Sequence, residues 1–277
     1  MKKILLGFFM IFSITSIAQE SGFEFQEYKN KGKFFAYWGW NRENYSTSDI
    51  SFKGDNYNFT LKDVAAHEKV KPFALDPYLH PLKITIPQTN LRIGYFFKEN
   101  YSVSVGVDHM KYVMYNNRIG NITGTINTGG DFDGIYTNDE ILVSEDFLTF
   151  EYTDGLNYIN VEVDRFDNID KFLNFKVRGI DIAVTEGIGV GLMYPKSNTK
   201  ILGKERYDDF NVAGWGMSAH VGINITAFKH FFIQSNLKVG YIDMDNIRTT
   251  KNTNDSASQH FTFIERSILF GGRFRLF

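Results

Sequence analysis

Few residues in this chain could do chemistry, and most of them are carboxylates. Ser218 and His220 stand two apart, so on an extended chain they share one face. A serine activated by a histidine, with an acid behind the histidine, is the arrangement for acyl transfer. Asp108-His109 and Ser258-Gln259-His260 offer the same residue types at distant positions that only folding could unite. Residues 119–164 hold no Lys or Arg but many acids, among them Asp131, Asp133, Asp139, Glu140, Glu162 and Asp164. Asp131-Phe132-Asp133-Gly134 opens like a calcium loop, yet the glycine at position six and the glutamate at position twelve are missing. Asp131 and Asp133 are weak metal candidates, and a solvated acidic loop explains them as well. The absence of Cys removes disulfides, zinc–thiolate sites and thiol nucleophiles, and no cofactor is expected.

The elements that would hold these residues follow from composition and patterning. The chain has 277 residues, with 30 Lys+Arg against 32 Asp+Glu. That near balance argues against a nucleic-acid partner. Aromatic residues reach 16%, high for a soluble domain, and Gly is frequent while Pro is scarce. A mean hydropathy of −0.25 speaks against a bundle of membrane helices. Residues 1–18 read as a secretory signal peptide. Lys2 and Lys3 precede a short apolar run, and Ser16-Ile17-Ala18 supplies the small residues of a cleavage site. Residues 19–277 are then expected to form one domain.

Within that domain the dominant signal is period 2. Over 211–226, Ala213, Trp215, Met217, Ala219, Val221, Ile223 and Ile225 alternate with Gly214, Gly216, Ser218, His220, Gly222, Asn224 and Thr226. Seven further segments alternate similarly: 33–43, 88–97, 101–112, 156–165, 180–194, 231–243 and 262–276. They are long enough to cross a bilayer at a steep tilt, which takes about 9–11 residues. Glu186 and Arg266 break the apolar faces; a bulge beside Gly187 would rescue the first, and a place near the outer interface the second.

The links between segments alternate as well. Short or moderate ones follow the second, fourth and sixth strands, and long ones follow the first, third, fifth and seventh. Strict odd–even alternation is what a closed antiparallel barrel gives when one rim faces the periplasm and the other the outside. The expected fold is therefore all-β, a closed antiparallel transmembrane barrel of eight strands. Short periplasmic turns and long extracellular loops complete it, including a hairpin around Gly54-Asp55-Asn56 that projects above the membrane. Pro72, Pro77, Pro81 and Pro87 stiffen the return of that first excursion. In these features, and in an aromatic last strand ending FGGRFRLF, the chain resembles the small outer-membrane β-barrel proteins of Gram-negative bacteria, of the eight-stranded outer-membrane protein A type. The ending departs from that type, because Phe277 shares parity with Arg273 and Arg275 rather than with Phe274 and Leu276. The resemblance implies Sec-dependent export and an integral place in the outer membrane, among its lipids and lipopolysaccharide.

An eight-stranded barrel is just wide enough to be filled by side chains. The inward set includes Glu43, Arg92, Asp108, Glu162, Asp164, Asp181, His220, Lys238, Glu265, Arg273 and Arg275. Glu162, Asp164, Arg273 and Arg275 are expected to meet in an ion-pair cluster near the periplasmic end. The function that follows is a structural or interacting barrel without catalysis, or an accessory subunit alongside another outer-membrane protein. The alternatives are a narrow channel or conduit for small hydrophobic molecules, and a lipid A-modifying enzyme built on the serine–histidine pairs.

Overall fold

Residues 29–276, apart from 73, 79–86, 176 and 207–208, are described by a computed structural model. The expected signal peptide, Pro81 and Phe277 lie outside the described residues. The elements in chain order are β1 (Phe34–Tyr45), β2 (Ser48–Gly54), β3 (Tyr57–Val64), β4 (Ala66–His67), α1 (Leu75–Tyr78), β5 (Thr89–Phe96), β6 (Tyr101–Met114), β7 (Arg118–Ile126) and β8 (Gly134–Val143). They continue with β9 (Leu148–Asn168), α2 (Asp170–Leu173), β10 (Ile180–Pro195), β11 (Asn198–Ile201), β12 (Gly214–Ala227), β13 (Phe231–Arg248) and β14 (Ser256–Phe274).

Eight of these strands form a ring, in the order β1-β5-β6-β9-β10-β12-β13-β14, and β14 pairs back onto β1. Every pairing in the ring is antiparallel. They are the eight segments whose alternation the sequence displays. The apolar-parity residues of each strand, such as Ile93, Val105, Val161, Ile188, Ile223 and Ile268, point outward and are roughly half exposed. An apolar band of this extent around a molecule is stable only against lipid. At the lower rim Tyr95, Phe97, Tyr101, Phe231 and Phe274 are exposed, and Phe34 stacks between Tyr95 and Phe274. Rings of this kind settle at the headgroup level. Phe232, at the same strand end, points into the lumen instead, since it is one residue out of phase with Phe231.

Two other details depart from expectation. Glu186 needs no bulge, because the register of β10 with β9 and β12 runs unbroken past Gly187. Its carboxylate lies across the outer surface from Arg165, its ladder neighbour, at 3.5 Å. The long links are also far more structured than loops. β9, β13 and β14 continue above the apolar band, and the top of β14 pairs with β2. The β2–β3 hairpin, turning at Asp55-Asn56, then pairs through β3 with β7, and β7 with β8. An extracellular sheet thus grows directly from the barrel wall, with β8 at its edge. Beneath it lies an aromatic-rich core that includes Phe52, Phe59, Phe147, Phe150, Tyr112 and Tyr152.

Close backbone approach fixes several glycines of the wall, Gly39 among them. A Cβ on Gly39 would meet the Ile268 carbonyl oxygen at 2.1 Å and the Leu269 Cα at 2.7 Å, both backbone atoms that cannot yield. Gly39→Ala is expected to destabilise the barrel by about 1–3 kcal/mol, the cost of overpacking, measured as a lower urea midpoint in detergent. An unchanged midpoint would show that β1 and β14 are less tightly joined.

Candidate functional site

The inward faces of β5, β6, β9 and β13 bring charged residues to one level of the lumen, with residues of β14 above it and of β12 below. Arg92 sits at its centre, 1% exposed. Its guanidinium donates to Asn160 Oδ1 at 2.6 Å and to Ser104 Oγ at 3.2 Å. It also lies 3.0 Å from Glu162 Oε1 and 3.5 Å from Asp108 Oδ1. Lys238, reaching across from β13, places its Nζ 2.5 Å from Asp108 Oδ2 and 2.8 Å from Glu162 Oε1. Asn90 then links this group upward, donating to Asp108 at 2.8 Å and to Glu265 Oε1 at 3.0 Å. Buried charges persist only when paired and hydrogen-bonded, and here two cations are shared by several acids.

Below Glu162, Asp164 accepts from Ser102 Oγ at 3.2 Å, and His220 Nε2 lies 3.4 Å from Asp164 Oδ1. His220 Nδ1 is 4.0 Å from Glu162 Oε2. Glu162, Asp164 and His220 therefore offer three potential metal-ligating atoms within 4.8 Å of one another. Arg92 and Lys238 already hold Glu162, and their charges oppose a cation there. Gly187, facing both Asp164 and His220 in the ladder, leaves the space these side chains occupy.

The expected cluster of Glu162 and Asp164 with Arg273 and Arg275 does not form. Arg273 is buried, but its guanidinium lies 5.2–5.3 Å from the ring centres of Phe96, Phe166 and Phe232 and donates to Asn224 Oδ1 at 3.0 Å. Cation–π attraction to three rings helps to hold its charge there. Arg275 lies past the end of β14, exposed, and donates to the Lys31 carbonyl at 3.2 Å. The partners of Glu162 are instead Arg92 and Lys238, two residues identified as inward but not assigned to it.

Phe35, Tyr37, Phe96, Phe166, Phe232 and Leu269 form a second apolar cluster in the lower lumen. Strict alternation alone does not reveal this cluster. Its signal is large apolar residues on the otherwise polar parity of five strands, β1, β5, β9, β13 and β14, towards their periplasmic ends.

The serine–histidine pairs stay apart. Ser218 Oγ faces the Tyr158 hydroxyl at 3.5 Å, while His220 faces Asp164 and Glu162. His109 Nδ1 lies 2.7 Å from Asn157 Oδ1, Asp108 is held by Lys238, and His260 is exposed on the outer side of β14 opposite Asp243. Asp131 is exposed in the turn of the β7–β8 hairpin. In that turn Asp133 accepts from the Thr128 amide at 2.7 Å, the Gly129 amide at 2.7 Å and the Thr128 hydroxyl at 3.0 Å. The Thr128 amide, with its neighbours, holds the Asp133 carboxyl below the usual carboxylate range. Its oxygens close a turn, which accounts for the Asp-x-Asp-Gly spacing.

No protein-family model matches the chain, and no curated protein matches it. Among solved structures it is similar to the outer membrane protein OprG from Pseudomonas aeruginosa, at 12% identity over 90% of this chain and 99% of that one, with a TM-score of 0.41. It is also similar to Ail, the attachment invasion locus protein of Yersinia pestis, at 11% identity over 88% and 99% of the two chains, TM-score 0.32. A third is the outer membrane protease OmpT from Escherichia coli, at 9% identity over 87% and 97%, TM-score 0.33. The closed ring, the apolar band and the two unequal rims make the chain an integral β-barrel of the outer membrane.

The charged layer sets a stability test. Lys238→Met leaves Asp108 and Glu162 short of a cation in a dry lumen and is expected to cost about 3–5 kcal/mol. Adding Asp108→Asn should recover a substantial part of that loss. Strictly additive effects in denaturant unfolding of the refolded barrel would show that the two side chains are not coupled.

Proposed function

We propose that this barrel is a non-catalytic interaction protein of the outer membrane, with a sealed lumen and an extracellular sheet as its working surface. The observation that carries this reading is the three-layer filling of the lumen. An aromatic seal lies below, the Arg92–Lys238–Asp108–Glu162 network crosses the middle, and the aromatic core under the extracellular sheet closes the top. Such a filling supports a barrel that does not conduct, in preference to the channel or conduit. The separation of Ser218, His220, His109 and His260 supports the absence of acyl-transfer catalysis.

The extracellular sheet has the features of a docking surface. Edge strand β8 leaves one side of its backbone without a ladder among the described residues, a template for another chain. Ile135 is 81% exposed, and Ile119 and Leu142 lie opposite each other with more than half their surface in solvent. Asp139 and Glu140 lie on the same strand. Lipid and lipopolysaccharide surround the band below, and a second outer-membrane protein bearing a basic extended segment is the partner this edge fits.

Reconstituted into planar bilayers, the protein should give no discrete conductance steps; steady, reproducible openings would overturn the sealed-lumen reading. Extracted in mild detergent, it should bring down a stoichiometric companion that Ile135→Asp/Leu142→Asp releases. A wild-type chain that purifies alone would remove the interaction role.

A further inference from the structure

Two successive inward rungs of the β1–β14 ladder are short of positive charge. Glu43 faces Glu265, and Asn41 faces Ser267 one rung below. All four are at most 3% exposed. Like charges directly opposed across a ladder destabilise it, and burial in the lumen removes the water that would screen them. Four oxygens at these rungs, Glu43 Oε1, Glu265 Oε2, Asn41 Oδ1 and Ser267 Oγ, have no hydrogen-bond partner among the described residues.

A third carboxylate joins from above. Glu68, half-buried, accepts from the Glu43 backbone amide at 3.0 Å and from Gln88 Nε2 at 2.9 Å. Gln88 Nε2 also donates to Glu43 Oε2, which leaves the Gln88 Oε1 oxygen buried and unpartnered. Among the described residues no Lys or Arg nitrogen forms an ion pair with Glu43, Glu68 or Glu265. Lys238 is committed to Asp108 and Glu162, and Arg42 donates to the Tyr78 hydroxyl and its neighbour's carbonyl. Buried acceptors in this number, with three acids among them, call for a bound ion or shared protons.

We propose that Glu43, Glu68 and Glu265 hold one divalent cation of the calcium class at the outer end of the lumen, with the amide oxygens of Asn41 and Gln88 and the Ser267 hydroxyl completing its shell. The donor set is oxygen only, which suits a hard cation. Calcium accepts six to eight such ligands in irregular geometry, whereas magnesium demands a strict octahedron. Rotation of the Gln88 amide brings its oxygen where its nitrogen now sits between two carboxylates. Glu68, partly open to solvent near the extracellular rim, gives the ion its way in.

Calcium binding is to be measured by calorimetry on the full chain, refolded in detergent after chelation with EGTA. One Ca²⁺ per chain is expected, with a Kd of about 0.1–1 mM as in extracellular modules, together with a higher Tm in calcium. Glu265→Gln should weaken binding at least tenfold, yet melt above the wild type in EGTA, because the opposed charges are gone. Glu43→Gln carries the same expectation, so a failure of one variant to fold does not end the test. Asp131→Asn/Asp133→Asn, at the extracellular acidic turn, should bind as the wild type does. The proposal is overturned if the wild type binds no stoichiometric Ca²⁺. It is equally overturned if binding survives both glutamate changes, or if melting responds to pH identically in calcium and in EGTA, the behaviour of a pair that merely shares a proton.

Discussion

Hydrocarbon offers no hydrogen bonds, so every peptide group that crosses the bilayer must find its partner within the protein. For a chain built of strands this leaves one solution, a sheet without edges. Here the solution is the pairing of β14 with β1, in an unbroken register from Phe34 opposite Phe274 to Tyr45 opposite Phe263. The rest of the architecture depends on that closure. It sends one parity of each strand to lipid and the other into a tube too narrow for a wide aqueous channel.

That tube has to be filled by residues whose backbone parity already commits them inward. The chain fills it in layers. Apolar rings close the lower end and surround the one arginine placed there, Arg273. Charged residues occupy the middle, where Arg92 and Lys238 are each shared between Asp108 and Glu162. Sharing is efficient in a dry space, since a single cation satisfies two acids and draws strands from opposite walls together. It also leaves acids over: the glutamates of the upper rungs have no such partner, and the imbalance concentrates at the end nearest the external medium. A cation there would complete electrostatically what the sheet has completed in hydrogen bonds.

Above the membrane the same ladders continue into water, where the constraint relaxes. Strands can now be paired on one side only, and the β2–β3 and β7–β8 hairpins extend the wall into an open sheet. An open sheet has an edge, and the edge at β8 is the sort of feature that the transmembrane part cannot contain. The closed ring and the open sheet are thus divided between the two halves by the solvent each one meets.

The period of the sequence determined much of this. Alternation over eight segments fixed the strands, their outward and inward faces, and the division between short and long connections, because side-chain direction follows from local backbone geometry alone. The hairpin at Gly54-Asp55-Asn56 was legible from turn chemistry. Inward parity likewise identified Arg92, Asp108, Glu162, His220, Lys238 and Glu265 as lumen residues. Parity gives a direction, however, and not a height or a neighbour. The stagger of each strand against the next decides which charges share a level, and that stagger is a property of the closed ring. For this reason Glu162 meets Arg92 and Lys238, while Arg273 meets phenylalanine and Arg275 leaves the wall. Likewise, only the assembled ladder set Glu43 against Glu265 and joined the segments around β7 and β8 into a sheet, since both arrangements join residues far apart in the chain.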